Sequence, residues 1–140
     1  METWVKDLLD DTGRGFLATL TGNVPHVVPV VFVRHDDQIS CPIDGKPKSK
    51  QILRRVKNLE ANPHAALMLD NYSEDWEKLW WLRLDCKASI EEMSPTIAEM
   101  LQQKYEGYKV YDVGTSVIRL VCLNCSFWSM SGSLPKQSRD

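Results

Sequence analysis

The chain has 140 residues, 43% of them hydrophobic, and a formal net charge of -2 at pH 7. A chain of this length buries roughly two thirds of its unfolded surface, so it needs neither disulfides nor a metal ion to fold. The slightly acidic balance argues against general binding to nucleic acids or membrane surfaces, and no apolar run reaches the ~18 residues of a membrane span. We therefore expect one domain over residues 1–140, with a loose polar tail at 131–140.

The predicted elements describe a mainly antiparallel β protein. Alternating apolar residues mark the strands, and Gly, Asn or Asp pairs mark the turns between them. The clearest strand spans 80–90, where Trp80 and every second residue after it are apolar. The run 26–33 is almost wholly apolar, which predicts a strand covered on both faces. The predicted strands are 15–21, 26–33, 38–43, 65–70, 80–90 and 115–130, the last interrupted near Asn124.

Three segments have helical spacing instead. Thr3 and Ser94 are candidate N-caps of the first and third helices, whereas Gly13, Pro63 and Gly107 lie at helix ends. The second helix is expected to start near Ser49. The predicted fold class is therefore mainly β (α+β), with about six antiparallel strands in a barrel or strongly bent sheet and the helices at its periphery.

The four cysteines show no disulfide framework: Cys41, Cys86, Cys122 and Cys125. The single Cys-x-x-Cys pair at 122–125 has no neighbouring His, and zinc needs about four ligands, so we expect no metal site. Met1 leads directly into an acidic amphipathic segment, so we expect no signal peptide. We therefore expect a cytoplasmic protein.

Six of the basic residues fall within positions 46–57 of this acidic chain, which predicts a site for a specific anion. Lys46 and Lys48 precede the second predicted helix, whose N-terminal N–H groups and dipole favour an anion. Lys50, Arg54 and Lys57 share one face of that helix, and a solvated surface explains them equally well.

Arg55 differs from these residues in its direction. At 100° per residue it lies about 60° from the apolar stripe of Ile52, Val56 and Leu59, so it turns toward the protein body. An unpaired guanidinium there would be costly. A bound phosphate or a structural carboxylate would each provide a partner.

Three parts of the chain resemble the pyridoxamine 5'-phosphate oxidase-like split β-barrel flavoproteins. They are residues 15–20 followed by 25–30, the basic segment that ends in Asn-x-x-x-Asn-Pro at 58–63, and residues 70–76 leading into 79–83. The resemblance is closest to the subgroup described as coenzyme F420 (deazaflavin)-dependent enzymes. It implies a split β-barrel and a homodimer with two cofactor sites at the subunit interface.

The resemblance also implies which residues hold the cofactor. The phosphate would be bound by basic residues before and within the second helix, and the ring would lie against two strands and near a tryptophan. Core packing explains the tryptophans equally well. The candidate cofactor-binding residues are Val27, Val28, Pro29, Val30, Ser40, Cys41, Pro42, Lys46, Lys48, Lys50, Arg54, Arg55, Trp81 and Trp128.

Three functions are consistent with these observations. The first is a flavin- or F420-dependent oxidoreductase that transfers hydride to or from a small organic substrate. The second is an FMN-dependent pyridoxamine-phosphate-oxidase-like enzyme, and the third is a carrier that binds a flavin or haem without turnover. The extended basic surface favours F420, whose tail carries additional carboxylates. No motif indicates a catalytic acid or base, and in such enzymes the cofactor performs the hard chemistry.

Overall fold

The computed structural model describes residues 1–43, 53–132 and 134. Within these residues seven strands form one sheet with the order β2-β1-β5-β6-β7-β4-β3, and every neighbouring pair is antiparallel. The strands are β1 (Gly15–Thr21), β2 (Val24–Val30), β3 (Val33–His35), β4 (Gln38–Ile43), β5 (His64–Asn71), β6 (Trp80–Glu92) and β7 (Ser116–Ser129).

The same described part of the chain contains three α-helices and two short 3-10 turns. The helices are α1 (Thr3–Asp11), α2 (Arg54–Ala61) and α3 (Pro95–Lys104), and the turns are Trp76–Lys78 and Glu106–Lys109. The predicted fold class is confirmed: an antiparallel sheet with peripheral helices, consistent with a split β-barrel and built from seven strands rather than six. None of these helices is long and apolar enough to cross a membrane.

The core lies on one face of the sheet, which we call the inner face. Period-two alternation places Leu82, Leu84 and Cys86 of β6 there, all buried as predicted for this strand. Helix α1 adds Val5 and Leu9 to the same apolar cluster. The sheet packs around this continuous core. On the opposite, outer face, α3 buries Val33 of β3 in a second, smaller apolar cluster, and much of the rest of the outer face is exposed.

The prediction of one strand over 26–33 is wrong. The strand breaks between β2 and β3, and β2 forms an edge of the sheet among the described strands, with Val27 59% exposed. Pro25 and Pro29 lack the N–H that a central strand must donate, which confines such residues to edges. The two prolines were thus a local signal against a covered strand.

Two of the three predicted helix starts are also displaced. Leu53 has an extended backbone (ψ 144°), so α2 begins at Arg54 and not near Ser49. Helix α1 has Glu2 at its N-cap in place of Thr3. By contrast, Ser94 caps α3 as predicted, since its Oγ accepts a hydrogen bond from the Ile97 N–H at 3.1 Å.

The end of α3 lies earlier than predicted. The helix stops before Tyr105, its C-cap, and Gly107 lies within the 3-10 turn that follows. The hydrogen bond from the Tyr105 N–H to the Leu101 carbonyl closes the last helical turn, so no glycine is needed there.

The predicted interruption of the last strand near Asn124 is a β-bulge. Asp85 pairs with Asn124 and the next residue, Cys86, pairs with Cys122, so Leu123 is an extra residue in β7. The bulge leaves Leu123 59% exposed.

The outer face of the sheet retains apolar side chains at its surface. Val27, Met68 and Leu123 are exposed, and a shallow groove of about 320 Å³ includes Ala18 and Leu20 in its lining. A solvated face of an antiparallel sheet is normally polar, so this one is unusual for a surface in contact with water.

Gly15 provides a test of the pairing between β1 and β5. A β-carbon at this position would lie 2.9 Å from Leu67 Cδ1 and 3.3 Å from the Met68 carbonyl oxygen. Leu67 is fully buried and cannot swing away. We expect Gly15→Ala to lower the free energy of unfolding by about 1–3 kcal/mol in urea denaturation.

The matched control is Gly13→Ala. A β-carbon at Gly13 would meet no atom within 4 Å, so the free energy of unfolding should change by no more than about 0.5 kcal/mol. Equal losses in the two variants would contradict the close approach of β1 and β5 at Gly15.

Candidate functional site

A small cavity lies where the end of β2 meets β4 and the first turn of α2. Its volume is about 170 Å³, and it is lined by Arg14, Pro29, Val30, Val31, Pro42 and Arg55. We call it the arginine cavity. Its walls are apolar, and its only charged side chains among the described residues are the two guanidinium groups.

Arg55 turns toward the protein body, as its helix phase predicts. It is half-buried, whereas Arg54 and Lys57 are exposed on the other side of α2. The Arg55 Nε is fully buried and has no hydrogen-bond partner among the described residues. The structural carboxylate that could have satisfied this nitrogen is therefore not found in that part of the chain.

The position of Arg55 near the N-terminus of α2 is unfavourable for a positive charge that has no anion beside it. Leu53 is the N-cap and no acidic residue occupies the first turn, so Arg55 lies where the helix dipole is positive. An anion in the cavity would stabilise both the guanidinium and the helix N-terminus.

Asn58 fixes the rotation of α2 and with it the direction of Arg55. This buried side chain donates from Nδ2 to Thr19 Oγ1 at 2.9 Å and accepts from Thr21 Oγ1 at 2.9 Å. Val56 and Leu59 bury the adjacent positions of the helix. Sequence reasoning recorded Asn58 only as part of a motif and did not assign it this role.

Arg14 is a cavity residue that sequence reasoning missed. It precedes β1, and its guanidinium carbon lies 5.2 Å from the centroid of the Phe16 ring. Pairing of Gly15 with Val30 brings it next to the end of β2. No local pattern reports this neighbourhood, because it depends on the contact between two strands.

Four of the predicted site residues meet in the arginine cavity, namely Pro29, Val30, Pro42 and Arg55. Of the others on β2, Val27 is exposed on the outer face and Val28 packs against the core. Arg54 points to solvent. Lys46, Lys48 and Lys50 lie outside the described residues.

The remaining predicted residues of β4 do not line the cavity. Ser40 is buried, and Cys41 is 1% exposed within the core. Burial raises the pKa of the Cys41 thiol to about 12, although the positive charges of Arg55 and Lys104 lower it. The thiol therefore stays protonated at neutral pH and is a core group rather than a nucleophile.

The two predicted tryptophans form a cross-strand pair. Trp81 of β6 lies directly opposite Trp128 of β7, and both are half-buried. Because Leu82 and Phe127 beside them are buried in the core, alternation places the pair on the outer face. Neither tryptophan lines the arginine cavity.

A sequence profile of the family described as pyridoxamine 5'-phosphate oxidase matches residues 1–128. The chain belongs to this family. The match covers all seven strands of the described sheet except the last residue of β7, and it confirms the resemblance seen in the sequence.

Solved structures share the fold of this pyridoxamine 5'-phosphate oxidase family member. A conserved hypothetical protein from Mycobacterium tuberculosis is 17% identical with a TM-score of 0.74, and the match covers 100% of this chain and 92% of that one. The FAD binding protein from Mycobacterium smegmatis is 17% identical with a TM-score of 0.64, covering 91% and 93%. HutZ, the heme storage protein from Vibrio cholerae, is 21% identical with a TM-score of 0.63, also covering 91% and 93%.

These identities support a common fold and nothing finer. None of the curated proteins compared with the chain matches its sequence. Within the described residues, no three His, Cys, Asp or Glu side chains lie close enough together to hold a metal ion.

Proposed function

We propose that this protein is a flavin- or deazaflavin-dependent oxidoreductase that transfers hydride to or from a small organic substrate. The observation that carries the proposal is the buried Nε of Arg55 beside the arginine cavity, which has no hydrogen-bond partner within residues 1–43, 53–132 and 134. A guanidinium removed from water needs a partner, and its planar fork matches the oxygens of a phosphate. Arg14 supplies a second cation to the same anion.

The size of the cavity fits the phosphate end of such a cofactor. Its volume of about 170 Å³ is below the ~300–1,000 Å³ of a typical pocket for a whole small molecule. The ring would then extend beyond the cavity, along the backbone of β2.

The residues that line the cavity suggest separate roles for the cofactor and for the protein. The cofactor, when bound, supplies the acceptor or donor of the hydride. Arg14 and Arg55 would bind its phosphate, and Asn58 would orient Arg55 through α2. Pro29, Val30, Val31 and Pro42 would exclude water from the ion pairs and thereby strengthen them.

Two alternatives have specific support. FMN in place of coenzyme F420 is supported by the FAD binding protein among the structural neighbours, and its single phosphate would occupy the same cavity. A carrier that binds a flavin or haem without turnover is supported by the heme storage protein among those neighbours. The four cysteines are free, which supports the proposed cytoplasmic location.

Replacing Arg55 tests the phosphate site. We expect Arg55→Ala to weaken cofactor binding about 10- to 100-fold, since a desolvated charge-assisted contact is worth ~1.5–3 kcal/mol. The matched control Lys57→Ala removes an exposed cation from the same helix and should change the dissociation constant by less than about threefold. Equal effects in the two variants, both shown to be folded by circular dichroism, would place the phosphate elsewhere.

The identity of the cofactor is tested by absorption and titration. We expect the purified protein to bind coenzyme F420 about tenfold more tightly than FMN at low salt. Lys46, Lys48 and Lys50 would each pair with a carboxylate of its tail, and such a contact made in water is worth ~0.2–1 kcal/mol. Salt should erode the preference, since screening acts within ~10 Å at 0.1 M. A preference for FMN would overturn the role of the lysines, and a visible spectrum with haem bound would favour the carrier.

We further propose that the protein is a homodimer that covers its outer face. The support is the apolar groove together with exposed Val27 and Leu123, since large exposed apolar patches mark interaction surfaces. The cross-strand pair of Trp81 and Trp128 lies on the same face. A second copy would also supply further walls around the cofactor ring.

A charge placed in the groove tests the dimer. Leu123→Arg should raise the dimer dissociation constant at least about tenfold, because it buries an unpaired guanidinium at the interface. Val110→Arg is the matched control, since Val110 is 81% exposed outside the sheet. Sedimentation equilibrium measures both. A wild-type protein that is monomeric at micromolar concentration would exclude an interface site.

A further inference from the structure

Two side chains at the end of α3 hold the break between β2 and β3. The Phe32 N–H donates to the Tyr105 hydroxyl oxygen at 3.0 Å. The Phe32 carbonyl accepts from Lys104 Nζ at 3.0 Å and lies 2.9 Å from the Tyr105 hydroxyl. Side chains at the end of α3 thus satisfy the backbone N–H and carbonyl of Phe32, which a neighbouring strand would satisfy inside the sheet. The backbone can therefore leave the sheet at this point without unpaired polar groups.

The Tyr105 hydroxyl also contacts a second segment. Its oxygen lies 2.9 Å from the Gly13 carbonyl. With one hydrogen it donates to the carbonyl of either Gly13 or Phe32 while it accepts the Phe32 N–H. The hydroxyl therefore bridges Gly13 and Phe32. Their chain neighbours Arg14 and Val31 line the arginine cavity.

Lys104 reinforces this bridge. Its Nζ donates to the Leu9 carbonyl at 3.0 Å and lies 4.0 Å from the centroid of the buried Phe32 ring. Burial lowers the pKa of Lys104 to about 8, although the carboxylates of Asp10 and Asp11 raise it. Carbonyl oxygens and an aromatic face replace much of the water that the ammonium group has lost.

From this geometry we infer that the Tyr105 hydroxyl is a positioning group for the arginine cavity. It fixes the backbone beside Arg14 relative to the backbone beside Val31, and so sets the distance between the Arg14 guanidinium and the opposite wall. Tyr105 lies outside the cavity lining and acts only through these neighbours. The inference rests on the proposed function, because it assigns Tyr105 a part in binding the cofactor phosphate.

Removing the hydroxyl alone tests the inference. Tyr105→Phe should bind FMN and coenzyme F420 roughly 5- to 10-fold more weakly than the wild type, since Arg14 is no longer held in place. Tyr111→Phe is the matched control, because Tyr111 is exposed, and it should leave both dissociation constants unchanged. Unchanged binding in Tyr105→Phe would overturn the inference and leave the proposed function intact.

A double-mutant cycle separates positioning from general stability. In an Arg14→Ala background the effect of Tyr105→Phe on binding should shrink to less than about twofold, because the residue through which it acts is gone. A purely structural role would lower the melting temperature and give the same loss in both backgrounds, which would overturn the inference.

Two other outcomes are a Tyr105→Phe variant that does not fold and a wild-type protein that binds no cofactor. If Tyr105→Phe does not fold, Lys104→Met replaces it in the double-mutant cycle with Arg14→Ala. Lys104→Met removes the other side-chain hydrogen bond to the Phe32 carbonyl, and its effect on cofactor binding should likewise shrink in the Arg14→Ala background. A wild-type protein that binds neither FMN nor coenzyme F420 would overturn the proposed function and this inference together. If the wild type binds a cofactor and both Tyr105→Phe and Lys104→Met bind it with the same dissociation constant, only the inference fails.

Discussion

The hydrogen bonds that hold α2 against β1 through Asn58 determine which side chains of α2 face the arginine cavity. Asn58 is buried and bonded to two threonines of β1, so the helix can neither rotate nor slide without leaving polar groups unsatisfied in the core. That fixed rotation turns Arg55 inward and leaves Arg54 and Lys57 in water. The direction of Arg55 in the cavity therefore depends on one amide side chain, together with Val56 and Leu59, on the buried face of a short helix.

Charge is the second constraint on this region. Two guanidinium groups line one small apolar cavity, next to the positive end of a helix. Like charges in such surroundings repel more strongly than they would in water. A bound phosphate would relieve this repulsion. The same arrangement also explains why the apolar walls matter: they weaken the competition from water for the arginines.

The sequence predicted what depends on local periodicity and missed what depends on strand pairing. The alternation in 80–90 identified β6, and the 100° helical phase placed Arg55 correctly. The covered strand predicted at 26–33 was wrong, because Pro25 and Pro29 lack the N–H groups that a central strand must donate. Arg14 could not be found from local patterns, since it reaches the cavity only when β1 pairs with β2. The bulge at Leu123 depends likewise on register between two long strands.

The prolines of β2 also have a consequence for the behaviour of the protein at high concentration. Pro25 and Pro29 alternate with Val27 along the strand, and their missing N–H groups belong on the side that faces away from β1. Val27 is then the one residue of that alternate set that can donate a hydrogen bond to an incoming strand. At the opposite end of the described sheet, β3 has only three residues. Both edges are therefore poor templates for the addition of strands from other molecules, a common route to aggregation. These edges therefore disfavour the strand-by-strand growth of a fibril, and leave side chains on the outer face as the better surface for contact between molecules.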